Sequence, residues 1–148
     1  MVNYEALARQ LKRLTGDVEY DISNLANAAA LLWMALPEIN WSGFYVYKDG
    51  ALRLGPFAGK PACTVIEMGK GVCGTAALED RTCVVPDVHK FPGHIACDGA
   101  SNSEIVVPLH KDGAIYGVLD IDSPVFDRFS EEDKEGLEAF AKALEEIL

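Results

Sequence analysis

The sequence predicts an α+β fold in which helices pack on a central antiparallel sheet, and three observations carry that expectation. Helical apolar periodicity opens and closes the chain. Two strand pairs meet at an identical Lys-Asp-Gly tip, and 148 residues suffice to bury one core without disulfide staples. A single domain over residues 1–148 is expected, because 49% hydrophobic and 24% charged residues are ordinary globular proportions and no compositional shift marks a linker.

In chain order, Asn3 can cap a first helix that places Leu7, Leu11 and Leu14 on one face. Asp21 can cap a second that bears Ile22, Leu25, Ala29, Leu32 and Leu36 and stops at Pro37. Trp41 to Tyr47 and Ala51 to Phe57 read as strands joined at Lys48-Asp49-Gly50, whose glycine suits the left-handed position of a short loop. A strand near Cys63 to Ile66, a short helix after Gly71 and a strand near Thr82 to Val85 follow. Ser103 to His110 and Ala114 to Asp122 flank Lys111-Asp112-Gly113 as a second hairpin. Ser130-Glu131-Glu132-Asp133 has the form of a capping box, and Leu137, Phe140, Ala141, Leu144 and Leu148 make an apolar stripe that would also suit a homodimer.

The net charge of -10, with 13 Lys and Arg in no basic cluster, argues against nucleic acid and anionic membrane surfaces as partners. The longest apolar run, Ala28 to Leu36, is far short of the roughly 20 residues a spanning helix needs, and the N-terminus has no secretory pattern. The cytoplasm is the expected location. Cys63, Cys73, Cys83 and Cys97 fall within residues 63–97 with no Cys-x-x-Cys pair, so no zinc site is spelled out. For any single free cysteine the commoner role is a small buried apolar side chain, a reading that the clustering weakens.

Residues 86–102 follow neither period and are rich in Pro, Gly, His and Asp, as function-bearing loops are. His89, His94 and Cys97 lie there, and the histidines are expected to pack or brace the loop rather than act in catalysis. In Leu119-Asp120-Ile121-Asp122 the period of two sends both acids to one face and the aliphatics to the other. That acidic face is either open to solvent or the floor of a pocket under the loop. A three-residue Lys111-Asp112-Gly113 loop would pair Glu104 with Asp120 on the same face, whereas a two-residue loop would send Glu104 to the other; the three-residue form is expected. Three acids converging in a covered site repel one another and raise at least one pKa, leaving a proton donor beside a carboxylate able to hold an ammonium.

Several ordered strings carry a resemblance. They are Asn40-Trp41-Ser42-Gly43-Phe44-Tyr45, Gly59-Lys60-Pro61-Ala62-Cys63-Thr64, Gly71-Val72-Cys73-Gly74-Thr75-Ala76-Ala77, Phe91-Pro92-Gly93-His94-Ile95-Ala96-Cys97-Asp98, Ala100-Ser101-Asn102-Ser103-Glu104 and Gly117-Val118-Leu119-Asp120-Ile121-Asp122. Together they resemble the free methionine (R)-sulfoxide reductases, over nearly the whole chain. The resemblance implies a GAF-like fold, with N- and C-terminal helices on one side of the sheet and a loop-covered ligand pocket on the other. It implies Cys97 as nucleophile, Cys63 as the main resolving thiol and Cys73 as a second cysteine near the site. Glu104, Asp120 and Asp122 would be pocket carboxylates, with Trp41 and Tyr45 the aromatic wall for the sulfoxide methyl end. Cys83 has no place in that pattern and is read as an idle strand residue.

The expected chemistry follows from thiols: Cys97 attacks the sulfoxide sulfur, a carboxylic acid such as Glu104 protonates the departing oxygen, and Cys63 closes a disulfide that a thioredoxin-type dithiol reopens. No metal or organic cofactor is expected. The alternative is a GAF sensor module that binds a small ligand without chemistry.

Overall fold

The computed structural model describes residues 1–94 and 99–148. Helices α1 (Tyr4–Thr15) and α2 (Asp21–Ala35) lead into β1 (Trp41–Lys48), β2 (Ala51–Gly59) and β3 (Val65–Glu67). After them come α3 (Gly71–Glu79), β4 (Cys83–Val85), a 3-10 turn (Val88–Lys90), β5 (Ser103–Lys111), β6 (Ala114–Ser123) and α4 (Glu131–Glu145). The six strands form one sheet in the order β3-β2-β1-β6-β5-β4, and every neighbouring pair is antiparallel.

The sheet separates two apolar layers by strand alternation. One face sends Phe44, Ile105, Val107, Leu109, Leu119 and Ile121 against α1, α2 and α4. The other sends Trp41, Tyr45, Val106 and Val118 toward α3, with Val72, Cys73, Ala76 and Ala77 of that helix. The C-terminal stripe is buried in the first layer through Leu137, Phe140, Ala141 and Leu144, so its apolar pattern is accounted for within the chain. The capping box forms as expected: Ser130 N donates to Asp133 Oδ2 at 2.9 Å and Asp133 N to Ser130 Oγ at 3.2 Å. Asp133 also accepts from Tyr4 Oη at 2.6 Å and Arg128 Nη1 at 3.1 Å, tying α1 to the start of α4.

Local expectations are corrected at four points. Leu14 is 45% exposed, and Thr15 takes its place in the core by donating its hydroxyl to Leu11 O at 2.6 Å. Asp21 is the first residue of α2 rather than its cap, which is Tyr20; its carboxylate accepts from Tyr116 Oη at 3.0 Å, and Ile22 faces solvent at 54% exposure. The strand expected from Cys63 starts at Val65.

The fourth correction bears on the site. Both hairpin tips are two-residue Asp-Gly turns, with φ of 52° and 81° at Asp49 and Gly50 and of 53° and 78° at Asp112 and Gly113. Two positive φ values in succession match the right-handed strand twist, and Asp-Gly tolerates them. A two-residue loop alone would put Glu104 on the wrong face. Instead, the register jumps between Leu109↔Gly117 and His110↔Ile115, so β6 carries one extra residue, Tyr116. That bulge restores the parity, and Glu104 lies opposite Asp122 on the acidic face. The expected face was right, whereas the expected turn and the expected pairing of Glu104 with Asp120 were wrong.

Candidate active site

Strands β1, β3, β5 and β6 and helix α3 build a cavity on the α3 side of the sheet. β1 pairs Trp41 with Asp122 and Gly43 with Asp120, while β5 sets Glu104 opposite Asp122. The two rings and all three acids thus share one face, since contributors from one strand are an even number of residues apart. Gly43 has to be glycine here, because a Cβ would sit 2.3 Å from Phe57 Cβ and 2.8 Å from the Trp41 ring. Its bare backbone lets Trp41 stack on Tyr45 at 5.9 Å and on Phe57 at 5.1 Å between centroids. Trp41 Nε1 donates to Lys60 O at 3.0 Å and Tyr45 Oη to Cys63 O at 2.9 Å. The aromatic wall thereby pins the segment that carries Cys63, and Pro61 and Ala62 of that segment line the cavity. The free space enclosed by the lining residues is small, about 50 Å³.

The floor is a cluster of buried acids. Glu104 is 7% exposed and Asp120 is 5% exposed. Burial, then the charges of Asp120 and Asp122, holds the Glu104 carboxyl well above the ordinary carboxylate range. Burial also raises Asp120, while hydrogen bonds from Glu104, Cys73 and Asp122 pull it back. The upward shift is the larger at Glu104, which favours its protonated form beside Asp120. Asp120 Oδ1 is buried without a hydrogen-bond partner, an unbalanced acceptor of the kind a bound donor would satisfy.

Cys63 is disulfide-bonded, whereas Cys73 and Cys83 are free thiols. Cys73 sits on α3 with its Sγ 4.0 Å from Glu104 Oε2. Burial, followed by the Asp120 charge, pushes its pKa well up, so it remains a thiol. Cys83 lies in β4 outside the cavity lining. Cys97 lies outside the described residues. His94 and Ser101, which flank residues 95–98 in sequence, both line the cavity. Burial, then the charge of His89, lowers the pKa of His94, against the opposing pull of Asp120. His89 does brace the loop, with Nε2 2.9 Å from Asn102 Oδ1.

One feature of the wall escaped sequence reasoning. The N-terminus of α3 has no side-chain cap and no acid in its first turn, and Lys70, Gly71 and Val72 line the cavity. Helix-starting N–H groups without acceptors form a ready anion site, and Lys70 adds a full positive charge. The available signal was Lys70 itself, a poor N-cap at the start of a helix. The cavity is therefore two-signed, acidic along β5 and β6 and positive at α3.

The GAF domain family model matches residues 6–148. The free methionine-R-sulfoxide reductase of Escherichia coli is 50% identical, covering 98% of this chain and 88% of that protein. Among solved structures, fRMsr of Staphylococcus aureus in its reduced form superposes with a TM-score of 0.97 at 55% identity, covering 100% of this chain and 96% of that one. The free methionine-R-sulfoxide reductase of Neisseria meningitidis, solved with its substrate, gives 0.94 at 44% identity, covering 97% and 87%. Among the described residues no helix is long and apolar enough to cross a membrane. With its fold, its two-signed cavity and these likenesses, this chain belongs to the GAF-domain family of free methionine-R-sulfoxide reductases.

Proposed function

We propose that this chain reduces free L-methionine (R)-sulfoxide to L-methionine, with Cys97 as the attacking thiolate and Cys63 as the resolving thiol. The observation that carries the reading is the cavity's pairing of a protonated Glu104 with the unpartnered Asp120 Oδ1 beneath an aromatic wall. An amino acid sulfoxide asks for an ammonium acceptor, a proton donor for the sulfoxide oxygen and an apolar contact for the methyl end. Asp120 and Asp122 serve the first need, Glu104 the second, and Trp41 with Tyr45 the third. The α3 N-terminus and Lys70 are suited to the α-carboxylate.

Chemically, Cys97 thiolate attacks the sulfoxide sulfur while Glu104 protonates the oxygen, and that oxygen departs as hydroxide to the Cys97 sulfur as the sulfur–sulfur bond breaks, leaving the thioether and a sulfenic acid on Cys97. Cys63 thiol then displaces that hydroxyl as water and forms a disulfide. A thioredoxin-type dithiol returns both cysteines to thiols by exchange. The oxidised state of Cys63 in this structure supports its resolving role, and the raised Cys73 thiol makes that residue the weaker resolver. A sensor domain would give a redox-active Cys63 no task.

Turnover should follow when the chain is given free methionine (R)-sulfoxide with thioredoxin, its reductase and NADPH, monitored as NADPH oxidation. Blocking either the amino or the carboxyl group of the substrate should cost at least about tenfold in kcat/KM, roughly 1.4 kcal/mol. Equal turnover of the doubly blocked substrate would contradict the reading.

A further inference from the structure

We propose that Cys73, Glu104 and Asp120 form a binding site for a thiophilic divalent cation of the zinc or cadmium class, sharing its two carboxylates with the amino acid pocket. One ligand atom from each residue, a sulfur and two carboxylate oxygens, lies within 4.8 Å of the others, and all three residues are buried. They come from three elements, α3, β5 and β6, so the fold itself sets their convergence. Tetrahedral zinc, with bonds of ~2.3 Å to sulfur and ~2.0 Å to oxygen, needs a sulfur–oxygen edge of about 3.5 Å. Cys73 Sγ and Glu104 Oε2 stand 4.0 Å apart, so a small side-chain adjustment closes that edge.

Asp120 Oδ1 supplies a separate reason to expect a positively charged guest, because it is buried and has no partner. The sulfur decides which cation. Magnesium and calcium take all-oxygen shells of six or more ligands, whereas a thiolate with carboxylates favours zinc and its heavier congener. Binding exchanges the Cys73 and Glu104 protons for one dication, with no electron transfer. Three protein ligands leave the fourth position to water.

The site is tested by titrating the full chain with cobalt(II) chloride without reductant, so that the Cys63 disulfide persists, and reading the near-ultraviolet thiolate-to-cobalt band. The band should appear in wild type and in Cys83→Ser and be absent in Cys73→Ser. Asp120→Asn, which keeps the thiol, should weaken cobalt binding at least tenfold, and it stands in if Cys73→Ser fails to fold. No band in wild type, a band lost in Cys83→Ser instead, or undiminished affinity in Asp120→Asn would overturn the site. None of these readouts involves turnover, so their failure leaves the reductase reading standing. Because the shared carboxylates rest on that reading, methionine should raise the apparent Kd for cobalt. A Cys73-dependent band that methionine leaves unmoved would uphold the cation site and move the amino acid elsewhere.

Discussion

Glu104 holds a proton because ionising it would bury a second charge beside Asp120 and Asp122. Its folded pKa lies above its unfolded value of about 4.3, so above that value the fold loses stability that it has in acid. Two consequences are separable at this one residue. Glu104→Gln should raise the melting temperature at alkaline pH, and the gap to wild type should close in acid, where both side chains are neutral. Wild type should show an alkaline fall in rate as Glu104 deprotonates, and the same substitution should abolish that fall and lower kcat/KM for the free sulfoxide at least tenfold. Wild-type kinetics across that range would mean that Glu104 does not serve as the acid.

At the scale of elements, α3 turns an uncapped helix start toward the cavity and β5 and β6 turn acids toward it. Lys70→Met should raise KM for free methionine (R)-sulfoxide about tenfold while leaving kcat little changed, because a carboxylate contact remote from sulfur acts on binding. A substrate analogue without the carboxylate should be indifferent to the substitution; an equal effect on both would place Lys70 outside the carboxylate contact. The alternation of Asp120 and Asp122 with Leu119 and Ile121 was legible in the sequence because strand period is local. The bulge at Tyr116 was not, since nothing in the residues from Leu109 to Gly117 announces an extra unpaired residue. The first helix face was legible through Leu7 and Leu11 and misread at Leu14, where Thr15 satisfied itself on the backbone and turned inward. Cavity composition was legible through the family strings, whereas the α3 wall is a backbone feature that residue types alone do not spell.

Across the whole molecule, His110 joins elements that sequence separates widely. Its Nε2 lies 2.6 Å from Asp80 Oδ1 just past α3, and its Nδ1 lies 2.7 Å from Glu145 Oε2 at the end of α4. The Asp80 hydrogen bond raises its pKa, and the bond to Glu145 assists, with burial opposing both. A raised folded pKa means that the clasp contributes fully below the unfolded value of about 6.5 and is lost as pH climbs through the folded one. His110→Gln should therefore melt below wild type in mild acid, with the difference shrinking toward alkaline pH. A pH-independent difference would reduce the clasp to plain packing.

The most direct measurement is a single turnover of the pre-reduced chain, freed of reductant, with each epimer of free methionine sulfoxide, counting methionine released per enzyme. Wild type should release about one methionine from the (R) epimer and essentially none from the (S) epimer, and Cys97→Ser should release none while remaining folded. Methionine released by Cys97→Ser, or equal release from both epimers, would contradict the assignment of this cavity and this thiol to the stereospecific reduction.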